Sequence, residues 1–180
     1  MNQVWDVMKP FCVKTYQGIF SGYASTYTPD AVGDQMVPGA FQKTLWAWKK
    51  KKKRFPHVYW EHDIEEPIGV CLQLKEDEKG LFIQGKLLQD FPKTKEALQS
   101  IQWGRRGLSI GFFVQGCHFN GGTRCITEVL LKEISLVKFP CNSDAVVEEI
   151  KSISSCSYDA ATQGVHRAFQ RLYLKINASF

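Results

Sequence analysis

Short runs in which apolar and polar residues alternate make up much of this chain between residues 18 and 139. Alternation of this kind, rich in β-branched and aromatic side chains, is typical of strands that bury one face. The pattern predicts about seven strands, over residues 18–28, 58–60, 68–74, 81–87, 108–114, 124–131 and 133–139. Because residues 75–80 form a charged turn that ends in glycine, the third and fourth strands are expected to form a hairpin.

Helical periodicity replaces the alternation in four segments. Phe41, Leu45 and Trp48 lie at i, i+4 and i+7, which predicts a helix that begins near Pro38 and ends in a run of lysines. Similar spacing predicts helices over residues 92–103, 144–153 and 160–176. Because strands and helices do not alternate regularly, we expect an α+β domain built on an antiparallel barrel or strongly bent sheet, not a doubly wound fold.

Length and composition indicate a soluble globular domain with one core. The chain has 180 residues, of which 44% are hydrophobic and 23% are charged. Its apolar runs are well short of the ~18 residues of a membrane span, so no membrane is expected among its partners. Since a serine-rich segment at residues 152–157 is typical of a linker, we expect a main domain over residues 1–150 and a C-terminal linker with an amphipathic helix over residues 151–180.

The positive charge is concentrated in one place. Residues 49–54 are five lysines followed by an arginine, and the formal net charge of the whole chain is +5. Such a run attracts nucleic acid or an acidic protein surface, but it is also typical of a solvated face. We favour the solvated face and do not expect nucleic acid as a partner. A basic nucleic-acid-binding or structural component without catalysis is the alternative to an enzyme.

Three residues carry the candidate chemistry. His62 lies where a strand enters a loop, and imidazole is the usual base near neutral pH. Ser109 lies between Gly107 and Gly111 in an apolar strand, where small neighbours leave its hydroxyl approachable. Glu133 interrupts another apolar strand, where a carboxylate is either exposed on a polar face or buried against a partner such as a histidine N–H. The three together suggest acyl transfer by a serine that the histidine activates.

Two of these roles have a rival. Asp63 directly follows His62 and competes with Glu133 as the carboxylate. Ser135 competes with Ser109 as the nucleophile, but large apolar residues flank it instead of glycines.

The cysteines offer a further possibility. None belongs to a C-x-x-C motif, so we expect buried free thiols in a reducing cytoplasm, at Cys12, Cys71, Cys117, Cys125, Cys141 and Cys156. A cysteine peptidase would use Cys71 or Cys141 with His62. No cluster of His, Cys, Asp or Glu has metal-ligand spacing, so neither a metal nor another cofactor is expected.

Eight short segments stand out between residues 18 and 147: Gly22–Ser25, Gly33-Asp34, Val37–Phe41, Trp60–Asp63, Pro67–Gly69, Gly80-Leu81, Leu108–Phe112 and Glu133–Pro140. In their order and spacing they resemble the prohead maturation serine proteases of tailed bacteriophages. The resemblance implies a fold like that of the related herpesvirus capsid proteases, a seven-stranded barrel surrounded by helices. It carries the catalytic histidine and serine onto His62 and Ser109 and the third member onto Glu133.

The resemblance also implies a setting for the enzyme. It would be a serine endopeptidase in the host cytoplasm, inside the assembling procapsid, that cleaves scaffold and the scaffolding segment of the major capsid protein and then itself. Its partners would be these substrates, the portal or procapsid shell, and further copies of the chain, for example in a dimer. By analogy with the viral enzymes, backbone N–H groups of the loop at residues 140–143 would form the oxyanion hole. Residues 151–180 would serve as an association or docking element or as a self-cleaved tail.

Overall fold

Eight strands and two helices are present in the computed structural model, which describes residues 15–50 and 55–153. Their bounds are β1 (Thr15–Thr26), β2 (Asp34–Met36), α1 (Gln42–Lys50), β3 (His57–Trp60), β4 (Asp63–Glu76), β5 (Gly80–Leu87), α2 (Thr94–Gln102), β6 (Gly107–Asn120), β7 (Thr123–Val137) and β8 (Val147–Ile153). Neither helix in this part of the chain is long and apolar enough to span a bilayer.

The strands form one mixed sheet in the order β2-β7-β3-β4-β5-β1-β8, with β6 paired to β7. Most neighbours are antiparallel, but β2 and β3 both run parallel to β7. Residues 134–136 of β7 pair with β3 and also with β6, so these two strands lie on opposite edges of β7. One region of the sheet therefore contains the end of β3, the start of β6 and the last residues of β7.

The core is built from the buried face of the sheet and from the two helices. In α2, Ala97 and Ile101 are buried, while Leu45 and Trp48 of α1 pack partly buried against the core. Each large side chain that is fully removed from water contributes about 1.5–3 kcal/mol, which is why the apolar positions recur on one face of each element. The largest of these side chains are Phe20, Phe41, Val58, Ile68, Leu81, Ile83, Leu87, Leu108, Ile126, Leu131, Ile134 and Leu136.

Most of the predicted elements are confirmed, including the strand-rich class, the hairpin of β4 and β5, and the helices near residues 38–50 and 92–103. Residues 51–54 of the basic run lie outside the described residues. The two strands predicted over 124–131 and 133–139 are one continuous strand, β7. It continues through Lys132 and Glu133 because the lysine is exposed while the glutamate side chain turns inward and finds partners.

The helix predicted over residues 144–153 is wrong, because residues 147–153 form strand β8. Backbone pairing overrides the weak helical spacing of this segment: the Tyr23 N–H donates to the Val146 carbonyl at 3.1 Å, and the Val147 N–H donates to the Arg106 carbonyl at 2.8 Å. These partners are distant in sequence, so local periodicity does not report them. The helix predicted over residues 160–176 lies outside the described residues.

Candidate active site

A strained two-residue turn positions His62. Glu61 and His62 join β3 to β4 between the paired residues Trp60 and Asp63, and both have positive φ, 51° and 64°. Two central residues with positive φ form a type I′ turn, a conformation that costs a non-glycine residue roughly 1–2 kcal/mol. The strain therefore requires compensating contacts.

Two hydrogen bonds to the end of β7 hold this turn. The Glu61 N–H donates to the Leu136 carbonyl at 3.0 Å, and the Lys138 N–H donates to Glu61 Oε1, also at 3.0 Å. The backbone that carries His62 is thus attached to the same strand that carries Glu133. Strain at such a place is common at functional sites, where a side chain must be held in one orientation.

His62 and Glu133 form a close pair. His62 Nδ1 lies 2.7 Å from Glu133 Oε1, and the glutamate is 8% exposed, so its charge is largely removed from water. The hydrogen bond to Glu133 is the main cause that raises the pKa of His62, with burial acting in the opposite direction. When the neutral ring donates Nδ1–H to the carboxylate, Nε2 is left as the free acceptor. The geometry therefore suits a general base whose protonated form the carboxylate stabilises.

Ser109 lies in the same cavity as His62. The cavity has a volume of about 280 Å³ and is lined by Ala24, Ser25, Thr26, Thr28, Asp30, Val32, Asp34, Met36, His62, Leu108, Ser109, Ile110, Phe112, Cys141 and Asn142. Ser109 is half-buried on β6, where it pairs with Ser135 of β7. Ser109 and His62 thus line one cavity, together with both apolar and polar side chains.

Asp63 makes its contact elsewhere. It is exposed, and its Oδ1 accepts the Glu65 N–H at 3.0 Å within its own turn. Of the two carboxylates that the sequence leaves open, Glu133 is the one that contacts the imidazole.

The glycines on either side of Ser109 make room for other parts of the site. A Cβ on Gly111 would lie 2.9 Å from Cγ and 3.0 Å from Cδ of Glu133, and one on Gly107 would lie 2.6 Å from the Pro140 ring. The sequence suggests that these glycines let a substrate approach Ser109. The structure adds that Gly111 leaves space for the Glu133 carboxylate, and the pairing of Gly111 with Glu133 that explains this depends on strand register.

We expect Gly111→Ala to lower kcat by about 100-fold, since displacing a catalytic group by about 1 Å costs roughly that much. The new methyl group must push the Glu133 side chain away from His62. The measurement is the steady-state rate of peptide cleavage, with the melting temperature recorded alongside. Gly116→Ala is the matched control on the same strand, because the one close contact of its Cβ would be with the Thr127 hydroxyl at 2.8 Å. Equal rates for the two variants would show that Gly111 does not constrain the carboxylate.

The cysteines are free thiols in four described positions, but only half of these are buried. Cys71 and Cys125 are buried, whereas Cys117 and Cys141 are exposed, which corrects the expectation of buried thiols throughout. Cys12 and Cys156 lie outside the described residues.

The two candidate cysteine nucleophiles have different surroundings. Burial raises the pKa of Cys71 to about 12, and its thiol donates a hydrogen bond to the Gln73 carbonyl at 3.3 Å. The thiol is therefore protonated and already hydrogen-bonded. Cys141 is exposed and lines the cavity beside Ser109. Within residues 15–50 and 55–153, no three His, Cys, Asp or Glu side chains are grouped so that they could hold a metal ion.

A histidine held by a buried carboxylate, with a serine in the same cavity, is an arrangement typical of serine peptidases. The chain belongs to the family of caudovirus prohead serine proteases, whose sequence profile matches residues 7–160. This confirms the family that the eight sequence segments indicate.

Individual relatives agree with this family. The prohead protease of Enterobacteria phage HK97 is 35% identical over 143 residues, which cover 76% of this chain and 62% of the relative. The prohead protease of Escherichia phage T5 is 31% identical over 140 residues, covering 76% and 65%. The capsid polyprotein of Pseudomonas phage PAJU2 is 29% identical over 161 residues, covering 84% and 23%. The chain thus spans less than two thirds of the length of each of these relatives.

Proposed function

We propose that this chain is a serine endopeptidase that processes scaffold and major capsid protein inside the procapsid, in the host cytoplasm, and that it cleaves itself. The observation that carries the proposal is the 2.7 Å contact between His62 Nδ1 and Glu133 Oε1, made by a histidine that shares its cavity with Ser109. A structural or nucleic-acid-binding component without catalysis would leave this pair without a role. The names of the two prohead protease relatives support the same setting.

The proposed reaction has two steps. In the first, His62 Nε2 takes the proton of the Ser109 hydroxyl while its oxygen attacks the peptide carbonyl, and the resulting imidazolium then protonates the leaving amine. In the second, His62 takes a proton from water as its oxygen attacks the acyl-enzyme carbonyl. The imidazolium then returns that proton to Ser109 Oγ as the ester bond breaks and the acid product leaves. Glu133 keeps the Nδ1–H tautomer in place and stabilises the imidazolium in both steps.

We propose that the loop at residues 140–143 supplies the oxyanion hole through backbone N–H groups. Cys141 and Asn142 of this loop line the cavity beside Ser109. The loop is well anchored: the Thr26 hydroxyl donates to Asn142 Oδ1 at 2.9 Å, and Asn142 Nδ2 donates to the Thr28 carbonyl at 3.1 Å. An anchored loop suits this task because oxyanion donors must be in place before charge develops on the substrate.

The finer fold is also a proposal, namely a seven-stranded barrel like that of the herpesvirus capsid proteases. Its support is a link between β6 and the segment that begins β8, where the Leu108 N–H donates to the Ala145 carbonyl at 2.7 Å and the Val147 N–H donates to the Arg106 carbonyl at 2.8 Å. Since β8 lies next to β1 in the sheet order, this link would complete a ring through β6, β7, β3, β4, β5, β1 and β8. Such a ring leaves β2 as an extra strand on β7.

We further propose that residues 1–150 are the catalytic domain and that residues 151–180 are a linker and helix for association, docking or self-cleavage. The partners would be the capsid and scaffold substrates, the portal or shell, and a second copy of the chain. Residues 151–153 are the end of strand β8, so the linker would begin after Ile153. The serine-rich segment and the apolar stripe of Val165, Phe169, Leu172 and Ile176 support this division.

Covalent labelling tests the proposed nucleophile. We expect a fluorophosphonate to react with Ser109, to block cleavage of co-expressed capsid protein, and to block any self-cleavage seen by intact mass spectrometry. Alkylation alone is a poor test, because a group attached to Cys141 would obstruct the cavity. Cys141→Ala and Cys71→Ala are the better controls, and both should cleave at the wild-type rate. Loss of cleavage in either variant, or a phosphonate adduct on another residue, would contradict the proposal.

A further inference from the structure

The second oxygen of the Glu133 carboxylate has its own partner. The Ser135 hydroxyl donates to Glu133 Oε2 at 2.6 Å, while Oε1 faces His62. We propose that Ser135 is a positioning residue, which holds the Glu133 carboxylate in the orientation that His62 requires. This inference rests on the proposed function and adds to it a residue that never touches the substrate.

Burial excludes Ser135 from a direct part in the chemistry. Its side chain is 0% exposed, and it lies on β7 between Ser109 of β6 and Tyr59 of β3. A buried hydroxyl without a hydrogen-bond partner is unfavourable, so the bond to Glu133 also stabilises Ser135 in its buried position. Ser135 is therefore not the rival nucleophile that the sequence leaves open.

The geometry of the strand explains why this serine reaches this glutamate. Residues i and i+2 of a strand point to the same face, so Glu133 and Ser135 are neighbours without any turn of the chain. The separation of 2.6 Å is in the range of charge-assisted O–H···O⁻ bonds, which are stronger than neutral ones. With His62 on one oxygen, Ser135 on the other and the bare Gly111 backbone beside it, the carboxylate is held at both oxygens.

The chemical consequence follows from where the serine holds the Glu133 carboxylate. The carboxylate stabilises the imidazolium of His62 most when it stays close to the ring, and the hydrogen bond from Ser135 holds it there. Other charged groups lie in this region: Glu61 is in the same turn as His62, and Asp30 and Asp34 line the same cavity, Asp34 being paired with Arg124. All of these are unchanged by a substitution at residue 135, so a change in His62 titration reports on Ser135.

We expect Ser135→Ala to lower kcat about 10- to 100-fold, as the loss of a positioning contact does. The acidic limb of the kcat/KM profile should also move to lower pH, because a less well placed carboxylate stabilises the imidazolium less. Ser135→Thr should retain most activity, because it keeps the hydroxyl. Ser100→Ala is the matched control. Ser100 is another buried serine, in α2, and its hydroxyl donates a hydrogen bond to the Arg105 carbonyl at 3.2 Å. The Ser100→Ala substitution should lower the melting temperature without moving the acidic limb of the kcat/KM profile.

A second measurement separates this inference from the proposed function. In full-length protein carrying Ser109→Ala, the pKa of His62 can be followed by NMR without any catalysis, and Ser135→Ala should lower it. An unchanged His62 titration would overturn the positioning role, whether or not the protein proves to be a peptidase. If the alanine variant does not fold, Ser135→Cys repeats the test, since it fills the space but replaces the hydroxyl with a weak donor. Wild-type titration in the cysteine variant would likewise overturn the role.

Discussion

Ser109→Ala is expected to lower kcat for capsid protein cleavage by about 10⁴- to 10⁶-fold, the usual cost of losing a triad nucleophile. The fold should be unaffected, because β6 pairs with β7 through its backbone and the residue is only half-buried. The measurement is cleavage of co-expressed capsid protein, with purified protein checked by circular dichroism. Ser21→Ala is the matched control, a half-buried serine in strand β1 away from the cavity, and it should cleave normally.

The same assay shows whether Ser109 and His62 work together. His62→Ala should be nearly as damaging as Ser109→Ala, and the double variant should be no worse than either one alone, because members of a triad act as a unit. Additive losses would mean that the two residues contribute to separate steps. Cleavage by Ser109→Ala at the wild-type rate would exclude the serine mechanism altogether.

Glu133→Gln is expected to have the next largest effect after the Ser109 and His62 substitutions, a loss of up to about 10⁴-fold in kcat. The amide keeps the shape of the side chain but removes the negative charge that stabilises protonated His62. Because the hydrogen bond to Glu133 raises the pKa of His62, removing the charge should lower that pKa. The base is active only when neutral, so the acidic limb of kcat/KM should move to lower pH while the plateau falls. The measurement is the full pH–rate profile of the residual activity.

Asp63→Asn provides the matched control for this experiment. It makes the same chemical change in the neighbouring carboxylate, whose observed contact is to the Glu65 N–H and not to the imidazole. We expect its rate and pH profile to stay close to those of the wild type. If Asp63→Asn proves more harmful than Glu133→Gln, the assignment of the third member is wrong.

Much of the secondary structure follows from local pattern, and the exceptions have a common cause. Most of the strands, the β4–β5 hairpin and the two described helices were predictable because alternation and helical spacing reflect which face of each element is buried. The short strand β2 was not predicted, because its three residues are defined by pairing with the distant strand β7. Strand β8 was not, because residues 147–153 satisfy a helical spacing about as well as a strand. Backbone hydrogen bonds to Tyr23 and Arg106 decide its conformation, and both residues are far from this segment in the sequence.

By itself, the sequence determined the family and the types of side chain available for chemistry. It presents a histidine at a strand end, a serine between glycines and a carboxylate in an apolar strand, within eight segments in the order of the prohead proteases. These are properties of residue type and spacing, which do not depend on distant contacts. Alternation along the strand also places Glu133 and Ser135 on one face, because residues i and i+2 share a face.

Only the tertiary structure decided which of these groups meet. His62 and Glu133 are 71 residues apart in the chain, and they meet because β3 runs parallel to β7 in one particular register. A shift of one residue in that register would turn Glu133 to the opposite face of the sheet. The room for its carboxylate at Gly111 depends in the same way on the pairing of β6 with β7. Register depends on the burial and pairing of the whole sheet, so no single segment of the sequence contains it.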